Sequence, residues 1–122
     1  MRQVAGVLVV LCVVFCVSAS AELVFTGGSV RGVPQCASNA DATRVAGEIK
    51  KAVRKAEDGG LAFKSVEVET REGLGPFKAS VDYRLEFGKA TARQVETLVD
   101  GLKAATKGCK FGEVRVGLGG VY

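Results

Sequence analysis

A chain of 122 residues, 48% of them hydrophobic and 25% charged, is long enough for one domain with its own core. Its formal net charge of +4 is too small, and its charges too interspersed, to mark a nucleic-acid binder. It contains no histidine, which removes Ser-His-Asp triads, Cys-His dyads and most zinc sites.

The chain opens with a short positive start, Met1-Arg2-Gln3. An uncharged apolar run follows from Val4 to Val17, and then Ser18-Ala19-Ser20-Ala21. Small residues at Ala19 and Ala21 fit the small-x-small pattern of signal-peptidase sites. The expectation is a cleavable signal peptide over residues 1–21, cut before Glu22, and a secreted, extracellular product. The apolar run is shorter than the roughly 20 residues a membrane-spanning helix needs. Cleavage discards Cys12 and Cys16 and leaves Cys36 and Cys109. In an oxidising compartment a disulfide between those two is the simplest reading. A free reactive thiol and an intermolecular bridge are the alternatives.

Residues 22–122 are expected to form a single domain. Residues 22–30 read as a first strand, bent at Gly27-Gly28, and residues 31–40 as a loop holding Pro34 and Cys36. Ser38 and Asp41 have capping-box-like spacing. They start a helix over 41–58 whose Val45, Ile49, Val53 and Ala56 share one face. Gly59-Gly60 ends it. Residues 61–72 read as a strand whose apolar parity slips, so a bulge is predicted near Lys64-Ser65. Residues 73–76 form a hairpin connection.

Residues 77–87 give the clearest strand. Phe77, Ala79, Val81, Tyr83, Leu85 and Phe87 alternate with Lys78, Ser80, Asp82, Arg84 and Glu86, which means one buried face and one wet face. Thr91 and Gln94 form a capping box for a helix over 92–107 with a stripe of Val95, Leu98, Val99, Leu102 and Ala105. The last strand, about 110–118, is expected to turn Val114, Val116 and Leu118 inward and Glu113 and Arg115 outward. Gly119–Tyr122 reads as a short tail.

The order strand, helix, strand, strand, helix, strand predicts an α+β two-layer sandwich, with two helices on one face of a four-stranded antiparallel sheet. This order resembles the ferredoxin-like βαββαβ arrangement over the whole of residues 22–122, a topological likeness that carries no functional residue with it. In that topology Cys36 and Cys109 fall at the same end, which agrees with their pairing.

No cofactor and no metal are expected, and no catalytic residue is assigned. The carboxylates Glu67, Glu69, Asp82 and Glu86 read as a solvated sheet face with cross-strand ion pairs. The basic run Lys50, Lys51, Arg54, Lys55 makes a positive stripe on the first helix and is the candidate contact surface. Lys103, Lys107 and Lys110 form a second group near the disulfide end. The functional expectation is a small, secreted, non-enzymatic binding protein of the effector, toxin-like or host-interaction kind. Its partner would be an extracellular protein, a glycan or an anionic membrane surface, not nucleic acid. A homodimer through the edge strands is the possible self-association. The alternative is a secreted peptidase inhibitor or propeptide-like module that uses the C-terminal tail or an edge strand.

Overall fold

A computed structural model describes residues 23–120 of the chain. The expected signal peptide and its cut site lie outside the described residues, as do Val121 and Tyr122. The elements are β1 (Val24–Phe25), β2 (Gly28–Gly32), β3 (Gln35–Cys36), α1 (Asn39–Asp58), β4 (Phe63–Glu72), β5 (Ala79–Phe87), β6 (Ala90–Thr91), α2 (Ala92–Ala105) and β7 (Arg115–Leu118). The protein is α+β, with two helices against an antiparallel sheet.

The centre of the sheet is β5. It pairs with β4 along one side and with β2 and then β3 along the other, and β2 pairs with β7. β2 and β3 are one path interrupted at Val33-Pro34. Pro34 has no N–H to give the ladder, but its carbonyl still accepts from the Val81 N–H at 3.1 Å. The strand expected to end at Val30 therefore runs on to Gly32, and the segment expected as a loop holds a second short strand after Pro34. The first expected strand is split as well: Val24–Phe25 leaves the main sheet and pairs with Ala90–Thr91. The break falls at Thr26-Gly27.

Both helices start as their sequences dictate. Ser38 caps α1 and its hydroxyl accepts from the Asp41 N–H at 3.1 Å. Thr91 and Gln94 close a reciprocal capping box on α2. The helices cross closely where Gly101 faces Ala52. A Cβ added at Gly101 would come within 3.3 Å of the Ala52 methyl. One core joins Val45, Ile49 and Val53 of α1, Leu98 and Leu102 of α2, and Val30, Val81, Tyr83, Leu85 and Phe87 of the sheet.

The bulge expected in the second long strand is present, as a register shift between Phe63 and Ser65. The third strand begins two residues later than expected. Phe77 lies outside it and is only half buried, its ring edge-on to Phe111 at 5.8 Å. The last strand is shorter than expected, and Val116 and Leu118 are 41% and 44% exposed. Val116 faces the buried Val30 across the ladder. β7 is the sheet's outer strand, however, so its apolar side chains have neighbours on one side only.

Cys36 and Cys109 are bonded, with Cα atoms 4.7 Å apart. Beside them Gln35 and Lys110 exchange backbone hydrogen bonds of 2.7 and 2.8 Å. The bridge thus joins the end of β3 to the segment leaving α2, at one end of the domain.

Candidate anion-binding face

The outward side of β5 carries Asp82, Arg84 and Glu86. Register decides what stands beside them. Arg84 lies directly opposite Arg31 of β2, and Arg31 lies directly opposite Arg115 of β7. Residues directly opposite on neighbouring strands project to the same face. Three arginines therefore stand side by side on three adjacent strands, all exposed. With strands about 4.8 Å apart, the row is about 10 Å long. It bounds a shallow depression of about 330 Å³, lined by Arg31, Gly32, Val33, Asp82, Arg84 and Arg115.

Like charges directly opposite one another destabilise a sheet. Here two such pairs share one residue, Arg31. Of the nearby carboxylates, some are engaged elsewhere and one stands at the end of the row without an ion pair. Asp82 pairs with Arg71 of β4 at 3.4 Å, and Arg71 also pairs with Glu69 at 3.1 Å. Glu67 lies opposite Arg84 in register. Among the described residues, none of the three arginines of the row forms an ion pair. The same face is therefore divided, with an ion-paired, net acidic Glu69–Arg71–Asp82 cluster toward the hairpin and a cationic row without an ion pair behind it.

The basic stripe on α1 is present. Lys50, Lys51, Arg54 and Lys55 are all exposed. Lys51 is partnered by Glu48 at 3.3 Å. Lys55 lies at the rim of a small cavity of about 160 Å³ between the helices, with Gln94, Thr97 and Arg93. The stripe thus includes one neutralised cation, whereas the arginine row includes none.

The row is not visible in the sequence. Arg31 lies in a segment expected to be a loop, while Arg84 and Arg115 are expected to point outward on separate strands. Single-strand alternation supplied two of the three positions. The third needed β2 to run on to Gly32, and the juxtaposition needed the register, which alternation does not contain.

At the hairpin end there is an apolar corner. Leu74 and Phe111 are 70% and 68% exposed. Phe111 has φ 56°, a left-handed conformation that is uncommon for a bulky side chain. The Leu74 N–H donates to Gln35 Oε1 at 2.9 Å, which ties the hairpin to the disulfide end.

On the helix side, Tyr83 is fully buried and its hydroxyl has no partner among the described residues. It lies over Gly32, where a Cβ would approach the hydroxyl to 2.7 Å, so only glycine fits there. Burial pushes the Tyr83 pKa up to about 12.

No family model matches the chain, and no curated protein matches it. Among solved structures it is similar to the C-terminal domain of the MgtC protein from Mycobacterium tuberculosis, a solution structure. The identity is 17% and the TM-score 0.48, over 78% of this chain and 88% of that one.

Proposed function

We propose that this is a small, secreted, non-enzymatic binding protein whose open sheet face receives an anionic partner. One observation carries the reading: three exposed arginines aligned in register with no carboxylate paired to them. Arginine is the side chain best suited to phosphate, sulfate and carboxylate groups, because its planar fork binds two oxygens at once. The remaining features fit a stapled scaffold for such a face. The disulfide supports export, and the N-terminal pattern at residues 1–21 supports a signal peptide. The strand order β4-β5-β2-β7, antiparallel throughout, supports the ferredoxin-like reading of the scaffold.

Two measurements test the proposal. Expression in a secreting host, followed by mass analysis of the exported protein, should give a chain starting at Glu22. A product retained in the membrane with its N-terminus intact would contradict export. Retention on immobilised heparin tests the surface. Replacing Arg31, Arg84 and Arg115 by Thr should lower the salt needed for elution, since each lost phosphate- or sulfate-type contact reduces the salt dependence. Replacing Lys50, Lys51, Arg54 and Lys55 by Gln should lower it less. The opposite order would return the contact surface to α1.

One observation favours a second reading, the peptidase-inhibitor or propeptide-like module. β7 is exposed along its length and lies at the edge of the sheet, where an extended peptide, or a second copy of the chain, could add as a further strand. The tail itself is less free than its sequence implied. The Gly119 N–H donates to the Gly27 carbonyl at 2.6 Å, and the Gly120 carbonyl accepts from Thr26 at 2.9 Å. A protease panel showing no inhibition would remove this reading.

A further inference from the structure

We infer that the arginine row is a site for a compact, polyvalent oxyanion, a small soluble ligand carrying two or three closely spaced phosphate or sulfate groups. The inference rests on the open-face reading above and names the ligand class that face would select. Size is set by what surrounds the row. Arg31, Arg84 and Arg115 occupy one rank of the sheet across β5, β2 and β7. The next strand at that rank presents Glu67. The neighbouring outward position of β5 on one side is Glu86, and on the other it is Asp82. Acidic residues therefore border the Arg84 end of the row on three sides, whereas Ser29 and Val33 flank Arg31. A long polyanion laid along the row would run over Glu67 beyond Arg84, whereas a ligand about 10 Å long would not.

The valence follows from the number of forks. Three guanidinium groups offer up to six N–H donors in parallel pairs, spread along a row of about 10 Å that one tetrahedral oxyanion is too small to span. Two or three linked groups would place one opposite each arginine. The depression contributes the remaining shape: the Gly32 backbone lies in its lining, and exposed Val33 forms an apolar rim. Gly117 stands beside Ser29 in the adjacent rank and leaves that side low. The depression is open to solvent, so the ligand would bind by charge-assisted hydrogen bonds and not by burial.

Binding requires no covalent step. Its energetic counterpart is the relief of repulsion between Arg31 and its two neighbours. A neutral β-former at position 31 would remove both unfavourable pairs.

Isothermal titration calorimetry on the purified protein at low ionic strength tests the inference, with inorganic tripolyphosphate and orthophosphate as separate ligands. Tripolyphosphate should bind saturably at one site per chain and more tightly than orthophosphate. Arg31→Thr should weaken it by about tenfold or more, since it removes a charge-assisted bidentate contact. Lys51→Gln should leave it unchanged. A cooperative unfolding transition in Arg31→Thr shows that lost binding is not lost folding. Non-saturable binding, equal affinity for the two phosphates, or equal affinity in wild type and Arg31→Thr would each overturn the inference. Arginine-dependent retention on heparin without tripolyphosphate binding would overturn the ligand class and leave the open-face reading standing. Loss of both would remove the two together.

Discussion

The two faces of β5 are built from alternate residues of one strand and obey different rules. On the helix side Val81, Tyr83, Leu85 and Phe87 are at most 1% exposed and belong to a single core with the buried residues of both helices. On the open side Arg84 stands opposite Arg31, and Arg31 opposite Arg115, with no paired carboxylate. The first face maximises what holds the fold together. The second gives up some stability in a position where a threonine or valine would have avoided the cost. Such a difference across one strand is expected when one side is under selection for packing and the other for contact with something outside the molecule.

The largest effect tests the scaffold that both faces share. Replacing Cys36 and Cys109 together by Ala should cost roughly 4 kcal/mol in the chain-entropy model, read by chemical denaturation. A loss below about 1 kcal/mol would mean that the bond adds little to the strand contacts already present at Gln35 and Lys110.

The next test contrasts the faces directly. Leu85→Ala, at a site with no exposure, should cost about 2–5 kcal/mol. Arg84→Ala, one residue away, should change stability by less than about 0.5 kcal/mol, or raise it. Similar losses for both would remove the distinction between the faces.

Tyr83 gives a pH-dependent version of the same contrast. Its phenol is buried in the neutral form, so its folded pKa of about 12 lies above the ordinary value of 10.0. Its contribution is complete below pH 10 and is lost as pH rises from 10 through about 12. Tyr83→Phe should be close to neutral at pH 7, because the hydroxyl lacks a partner. It should also remove this part of the alkaline loss. Parallel stability curves for the two proteins across that range would contradict the burial argument.

The smallest effect concerns a site away from both faces of the sheet. Gly47 lies in the middle of α1 with open space where a Cβ would go. Gly47→Ala should stabilise the protein by about 0.5–1 kcal/mol. A destabilised variant would show that α1 has a constraint at this position beyond its own propensity.

Local signals made much of the fold legible. Ser38 and Thr91 are real caps, the parity slip before Val66 is a real register shift, and the strict alternation of β5 sorts its two faces from Val81 to Phe87, whereas Ser80, expected on the wet face, is buried. The disulfide followed from counting once residues 1–21 were read as a signal peptide. The errors came where long-range structure decides. Pro34 interrupted a strand instead of marking a loop. Val116 and Leu118 alternated like core residues, yet they lie on an outer strand with nothing beyond it. Phe77 continued the pattern of β5 but belongs to the turn, where Phe111 meets it. The candidate site was least legible. The helix stripe is visible in sequence because helical spacing is local. The arginine row depends on the pairing of positions 31, 84 and 115, which are brought together only by sheet register.

The most direct test of the central claim is the stability of Arg31→Thr against wild type in low salt, with and without tripolyphosphate, by chemical denaturation. Without the anion the variant should be at least as stable as wild type, with any advantage shrinking as salt screens the arginines. With the anion, wild type should gain stability and overtake the variant, because only the native face with its full row binds. A variant that is less stable in both conditions, with no gain for wild type from the anion, would show that Arg31 serves the fold, and would contradict the account.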